Sequence, residues 1–436
     1  MILTRSADII VVGAGASGLM IARILSEAGK NVIILEARDR TGGRIHTIGE
    51  PAFLMPLETG AEFIHGDLPV TFRLLKEAGI HYRNTGGDSW TAAAGEFMQD
   101  DYMNNDDLLT DKLNGLKEDI TVAAFLETYF SSEEHNGLRE TITGFVEGYD
   151  AADINRASTF ALRKEWQDIN EGSQYRVDGG YTHMIRFLET ESRKNGCLIL
   201  LSSVVKEILW QQGIVNVIAA DRERYTAKKI VITVPLGVLN ADYLCRAAIS
   251  FTPSLTGKEN LFQSLGYGGV IKVLLLFNHA FWKDIITPGK KSLKDMGWIF
   301  SGESIPTWWS QAPEDSALLT GWLAGPKAQA LKDTDDQAIL YKALESLCKI
   351  FTLGRFELTE MLAYSAVVNW ISDPFSLGAY SYATPGTREA VRQLSIPVDN
   401  TIFFAGEALY DGDETGTVEA ALGNGLKVAG LVLDNY

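Results

Sequence analysis

Hydrophobic and polar positions fall along this chain in blocks that read as elements. Residues 8–12 form a short apolar run rich in β-branched side chains, which predicts a buried strand. A helical stretch opens near Ala16 and stops at Gly29, and a second apolar run over 32–35 ends in Glu36. From 81 to about 174 the pattern changes to helices joined by polar loops, with 122–130 and 138–147 the clearest two. Strand character returns at 198–210, and 229–239, KIVITVPLGVL, is a buried strand that Pro235 ends. Residues 269–277, GVIKVLLLF, are a further buried strand with one charge in it, after which strands and helices alternate from 282 to about 371. Such alternation predicts an α/β fold interrupted by insertions of a different texture.

The turn between the first strand and helix is Gly13-Ala14-Gly15-Ala16-Ser17-Gly18. Gly13 suits a tight turn, Gly15 lets a pyrophosphate approach the backbone, and Gly18 lets the helix pack on the strand. The helix beginning at Ala16 aims its free amides and positive end at the phosphates. Glu36 stands 23 residues after Gly13, near the ~20 expected of a carboxylate that accepts from ribose hydroxyls. Strand, turn, helix and acid together point to a bound adenine dinucleotide, and the acid disfavours a 2′-phosphate.

The continuation decides which dinucleotide. Ala37 to Thr47, ARDRTGGRIHT, resembles the flavin amine oxidases: monoamine oxidases, polyamine oxidases and flavin-dependent histone demethylases. The resemblance implies FAD, with Ala37 and Arg38 beside it, Gly42 and Gly43 under the flavin, and Arg44 on the flavin or the phosphates. It implies a Rossmann-like FAD-binding domain, of the p-hydroxybenzoate-hydroxylase or glutathione-reductase type, joined to a discontinuous mixed α+β substrate-binding domain. The expected limits are 1–80, 175–256 and 373–436 for the first and 81–174 and 257–372 for the second.

Other motifs extend the likeness over nearly the whole chain. Gly60, Ala61 and Glu62 match a glycine-rich crossing past the flavin, and His65 falls where spermine oxidases of this family place a histidine. A neutral imidazole there could take a proton from an incoming ammonium or bond to it. Val205 matches a residue whose backbone bonds the adenine, and Trp370 lies in the segment that bends round the flavin. Gly406 and Glu407 match the closing motif, with Glu407 on the cofactor's linker. Thr417 and Val418 open a helix that aims its amides at the flavin's carbonyl region. Tyr380 matches one wall of the family's aromatic cage; the second wall is Thr417, as in the demethylases, so the cage is half open. Where monoamine oxidases bind flavin through a cysteine this chain has Ala379, which implies non-covalent FAD.

Lys272 is the sharpest single residue. An ammonium in so apolar a run must snorkel out, lose its proton or bond a fixed partner. The family's lysine at this position bonds a water that also bonds the flavin's reactive nitrogen. Trp308, Trp309 and Trp322 could wall a cavity, though such aromatics are more often core.

Composition narrows the rest. With 436 residues, 46% of them hydrophobic, the chain is long enough for two domains with sizeable cores. Net charge is −17, and residues 81–170 hold 18 acidic against 7 basic side chains. That balance argues against nucleic acid and anionic membranes; it reads as a solvated helical face or as a vestibule for cations. Three scattered cysteines suggest free thiols, and six unclustered histidines suggest no metal. No apolar run is long enough for a membrane helix, no leader or hydrophobic tail is expected, and a cytoplasmic monomer or homodimer is anticipated.

The expected reaction is oxidation of an amine by hydride transfer from its α-carbon, giving an imine or iminium that hydrolyses, with oxygen reduced to hydrogen peroxide. Lys272, Tyr380 and His65 are the candidate catalytic residues. The alternatives are an L-amino acid oxidase, which needs an arginine where this chain has Glu62 and Phe63, a porphyrinogen oxidase or desaturase, and a flavin-bearing interaction module.

Overall fold

Four consecutive buried residues, Ile9–Val12, form the centre of a parallel five-stranded sheet. Their neighbours are Val32–Leu35 on one side and Lys229–Ile232 on the other, with Leu198–Leu200 and Ile402–Phe404 at the edges. Continuous apolar runs are what a sheet covered on both faces requires. The computed structural model describes residues 4–49, 56–93, 95–99, 107–168, 173–255 and 257–435. Part of the acidic stretch therefore lies outside the described residues.

Two compact units divide the chain: 1–82, 176–267 and 373–436 form the first, 83–175 and 268–372 the second. In the first, the helix Ala16–Glu27 packs on Thr182–Lys194 and on the closing helix Val418–Asp434. A second sheet of the same unit orders Thr4–Ser6, Arg224–Ala227, Ile214–Ala219, Val205–Gln211 and Ser250–Thr252. The third crossing falls at 267/268 and not at 256/257 as expected, because Phe262 and Leu265 of the helix Lys258–Ser264 and its end are buried in the first unit's core with Phe404 and Leu394.

The second unit is built on a seven-stranded sheet in the order Leu362–Asn369, Val270–Phe277, Leu318–Ala324, Thr307–Trp309, Met296–Ser301, Asp88–Ala93, Glu96–Gln99. Its last two strands correct the all-helical reading of 81–174. Asp88–Ala93 and Glu96–Gln99 pair as an antiparallel hairpin, with Trp90 and Ala92 turned into the core. One face of the sheet packs Ile271, Val273, Trp308 and Leu319 against Ile339, Ala343 and Leu347 of the helix Asp336–Phe351. No helix among the described residues is long and apolar enough to cross a membrane.

Candidate active site

The first turn is shaped by contacts that only glycine permits. Gly13 has φ +105°, and a β-carbon on Gly18 would stand 2.0 Å from the Gly13 carbonyl oxygen. The Thr233 hydroxyl donates within reach of the Val12 and Gly13 carbonyls, at 2.9 and 3.1 Å, and sets the turn from the neighbouring strand. Above the turn there is room: a β-carbon on Gly15 meets no atom within 4 Å. No side chain caps the helix Ala16–Glu27, so its first amides are free of side-chain acceptors among the described residues. The buried Ser17 Oγ has no hydrogen-bond partner among them either. Open amides, an orphaned hydroxyl and a glycine cradle fit a dinucleotide's phosphates.

Glu36 is buried at the end of its strand. Its two oxygens accept from the Ala14 and Arg38 amides at 2.7 and 2.8 Å. Burial pushes its carboxyl up, and those amides pull it back. A carboxylate offers about four lone-pair positions, so two amides leave capacity for a ribose. The Ser203 amide bonds the Glu36 carbonyl at 2.8 Å, which brings the start of the strand carrying buried Val205 alongside.

The loop 37–44 is tied to the turn and to the chain's last segment. The Gly42 amide donates to the Ala14 carbonyl at 2.8 Å, and a β-carbon on Gly43 would lie 3.5 Å from Gly15 Cα. Arg38 holds Asp373 through both nitrogens, at 2.9 and 2.6 Å, and also Ser376. Arg44 Nη1 donates to Glu407 Oε1 at 2.8 Å and to the Ala379 carbonyl at 2.5 Å. Glu407 Oε2 in turn accepts from the Ser381 amide and hydroxyl, at 3.3 and 2.5 Å. Tyr380, between Ala379 and Ser381, is thus fixed on both sides. Gly416 stands against it: a β-carbon there would lie 3.1 Å from the Tyr380 ring.

The Gly60 segment adjoins this loop through the Ala61 amide, 3.2 Å from the Arg44 carbonyl. The Glu62 carboxylate is committed to Arg176 at 3.0 Å, both side chains being buried. His65 Nδ1 is sealed from solvent, and burial lowers the imidazole to about 4. Gly406 is held by its amide on Asn424 Oδ1 at 2.9 Å. Thr417 caps the last helix by accepting from Ala420 N at 3.1 Å, with Val418 as the first helical residue.

Lys272 and Trp370 belong to the second unit. Lys272 sits mid-strand, 1% exposed, and its Nζ lies 5.5 Å from the centre of the Trp309 ring. The Trp370 amide donates to the Val270 carbonyl at 3.1 Å, on the same strand as Lys272.

Some working residues carry no sequence signal. Arg40 donates to the carbonyls of Thr41, Gly43 and Ile45 at 3.1, 2.9 and 3.4 Å, clamping the double-glycine loop. Burial and the like charge of Arg38 bring it down to about 10. Ser381 and Asn424 act through neighbours distant in sequence, and a lone serine or asparagine in a polar segment gives no periodic cue.

The first unit is that of a dinucleotide-binding α/β protein, with the open glycine turn at the carboxyl end of a parallel sheet. The chain belongs to the flavin-containing amine oxidoreductase family, whose match spans residues 16–433. Among its relatives it is 28% identical to a polyamine oxidase of Oryza sativa over 97% of this chain and 88% of that protein. It is 27% identical to a mouse lysine-specific histone demethylase, over 92% of this chain and half of that one. Its fold matches a putrescine oxidase variant (TM-score 0.80, 21% identity, all of both chains). It also matches cyclohexylamine oxidase of Brevibacterium oxydans (TM-score 0.76, 22% identity, 98% and 99% covered). The protein is a flavin-dependent amine oxidoreductase, and FAD is its cofactor.

Proposed function

We propose that this chain oxidises an amine bearing a hydrogen on the carbon next to nitrogen, with oxygen as the electron acceptor and FAD held without a covalent bond. The observation that carries the reading is Lys272, a lysine 1% exposed in the middle of an apolar strand and set over an indole. Lysine is among the side chains least often fully buried, and one held at this depth in an apolar strand is a candidate for work beyond packing. Bound FAD supplies the acceptor for the hydride and the electrons' route to oxygen.

The remaining work belongs to this chain. Tyr380, fixed on both sides, offers a ring face to orient the substrate nitrogen. His65, lowered to about 4, is too weak a base to capture a proton near neutral pH. It therefore accepts a hydrogen bond from the incoming amine and adds no charge to repel it. Lys272 supplies a positive charge and protons for the oxygen half of the cycle. Ala379 has no sulfur with which to bond the flavin. Arg176, the buried arginine beside the Gly60 segment, is neutralised by Glu62, which disfavours an amino-acid carboxylate as the binding handle. Three free cysteines suit a cytoplasmic setting.

The relatives' names suggest polyamines, putrescine and cyclohexylamine as first substrates. The test is anaerobic mixing of the yellow protein with these, with monoamines and with amino acids, watching the flavin colour bleach and return on admission of oxygen. Lys272→Met should bleach normally and recover roughly a hundredfold more slowly, the lower end of what a positioned proton donor supplies. No bleaching with any amine would refute the reaction, and normal recovery in Lys272→Met would refute the lysine's part in it.

A further inference from the structure

Side chains alternate between faces along a strand, so the pairing register says which residues share the face of Lys272. Lys272 pairs with Trp322, Trp322 with Thr307, and Trp309, two residues on from Thr307, with Trp298. The face opposite the helix-packed core therefore carries Lys272 and three indoles. The rings form a row, with centres 5.3 Å apart for Trp298 and Trp309 and 5.7 Å apart for Trp309 and Trp322. Trp322 is pinned by its Nε1, which donates to the Gly148 carbonyl at 2.8 Å. Trp309, 4% exposed, is held between the other two. Its neighbour Trp308 faces the other way, into the core, where a β-carbon on Gly321 would come within 2.8 Å of its ring.

We propose that Trp309 is the positioning residue for Lys272: its indole, immobilised by Trp298 and Trp322, is a platform that fixes where the ammonium points. This rests on the role given to Lys272 above. A lysine has four rotatable side-chain bonds, and whatever else the Nζ bonds, a ring face 5.5 Å away selects among its rotamers. The negative face of an indole is the strongest such partner among the side chains, and burial of both groups strengthens the attraction. Trp309 thus acts through Lys272.

The experiment has two readouts on the FAD-loaded protein. In protein labelled with carbon-13 at lysine Cε, the Lys272 signal is assigned by its loss in Lys272→Met. It is expected upfield of the other lysines through the ring current of Trp309, to move back in Trp309→Leu, and to stay displaced in Trp309→Phe. In the second readout, flavin recovery after anaerobic bleaching slows about thirtyfold in Trp309→Leu, the factor a buried cation–ring contact supplies. Trp309→Phe stays within about threefold of the parent, and adding Trp309→Leu to Lys272→Met slows recovery no further.

A Lys272 signal with no ring-current displacement in the parent protein overturns the proposal. So does a normal recovery rate in Trp309→Leu, or a loss in Trp309→Phe as large as in Lys272→Met. Should Trp309→Leu fail to fold, the parent spectrum and Trp309→Phe decide. Were Lys272→Met itself to recover normally, the lysine's function would fall, while the displaced signal would still establish the platform.

Discussion

Replacing Glu407 by glutamine tests whether the closing motif acts on the protein as well as on the cofactor. One carboxylate oxygen accepts from Arg44 at 2.8 Å, the other from the Ser381 amide and hydroxyl at 3.3 and 2.5 Å. In the amide one of these two oxygens becomes an NH2 donor, so either the position facing Arg44 or the one facing Ser381 loses its acceptor. If the remaining oxygen keeps Arg44, the Ser381 hydroxyl can turn and accept, but the backbone N–H of Ser381 cannot. Breaking a buried ion pair from one side costs about 3–5 kcal/mol. The Arg44 side chain is 25% exposed against 5% for Glu407, which places the expectation at the lower end, about 3 kcal/mol. For a unit of this size that lowers Tm by roughly 6–12 °C. Ser381→Ala removes only the hydroxyl's bond to a charged acceptor and should cost about 1.5 kcal/mol, half as much. Thermal unfolding is followed by tryptophan fluorescence on FAD-free and FAD-loaded protein. If Glu407 works only as a ligand of the cofactor, the loss will appear in the loaded protein alone. A FAD-free Glu407→Gln protein melting within about 2 °C of its parent, or above Ser381→Ala, refutes the bracket.

Two further outcomes follow from single positions. In Gly18→Ala the new methyl would sit 2.0 Å from the Gly13 carbonyl and 2.8 Å from the Thr233 hydroxyl, so helix and turn must part; the protein should come off a desalting column without its flavin absorbance, and full FAD retention would contradict the close packing. Burial lowers His65 from 6.5 to about 4, as it does His46, where Arg40 and Arg38 add to the effect. Between those values the unfolded chain binds the proton and the folded one resists it, so stability is full above about 6.5, falls with pH, and levels off below about 4. The His65 share is at most ~3 kcal/mol. Tm of His65→Gln should therefore decline less steeply from pH 7 to 4.5, and parallel curves would show that His65 is not the group being titrated.

How much was readable in advance depends on where each constraint acts. The glycine turn was legible because its constraint is local: Gly13 needs positive φ and Gly18 needs the absence of a side chain within one turn of chain. That Glu36 would end its strand beside that turn was legible because a strand's length fixes the distance. The hairpin over 88–99 was missed because its residues, DSWTAA and EFMQ, include few β-branched ones; it exists because Trp90 and Ala92 complete a core supplied by strands some two hundred residues later. Trp308 and Trp309 illustrate the same limit. Adjacent in sequence, they face opposite sides of the sheet, and only pairing with Ile299 and Trp298 decides which one enters the core. The shifted crossing at 267 has the same cause, since Phe262 and Leu265 are assigned by what they pack against.

The acids expected beside the cofactor each hold groups of the protein itself. Glu36 already serves two amides, Glu407 serves Arg44 and Ser381, and Glu62 serves Arg176. The Arg38–Asp373 and Arg44–Glu407 pairs tie the opening 60 residues to segments more than three hundred residues away. Lone-pair capacity allows a carboxylate to hold a loop and still meet a ligand. The glycine turn, the double-glycine loop and the Tyr380 segment are thereby tied to one another by bonds within the protein. A ligand entering such a site has little backbone left to order, and the entropy that binding would otherwise lose there was lost on folding.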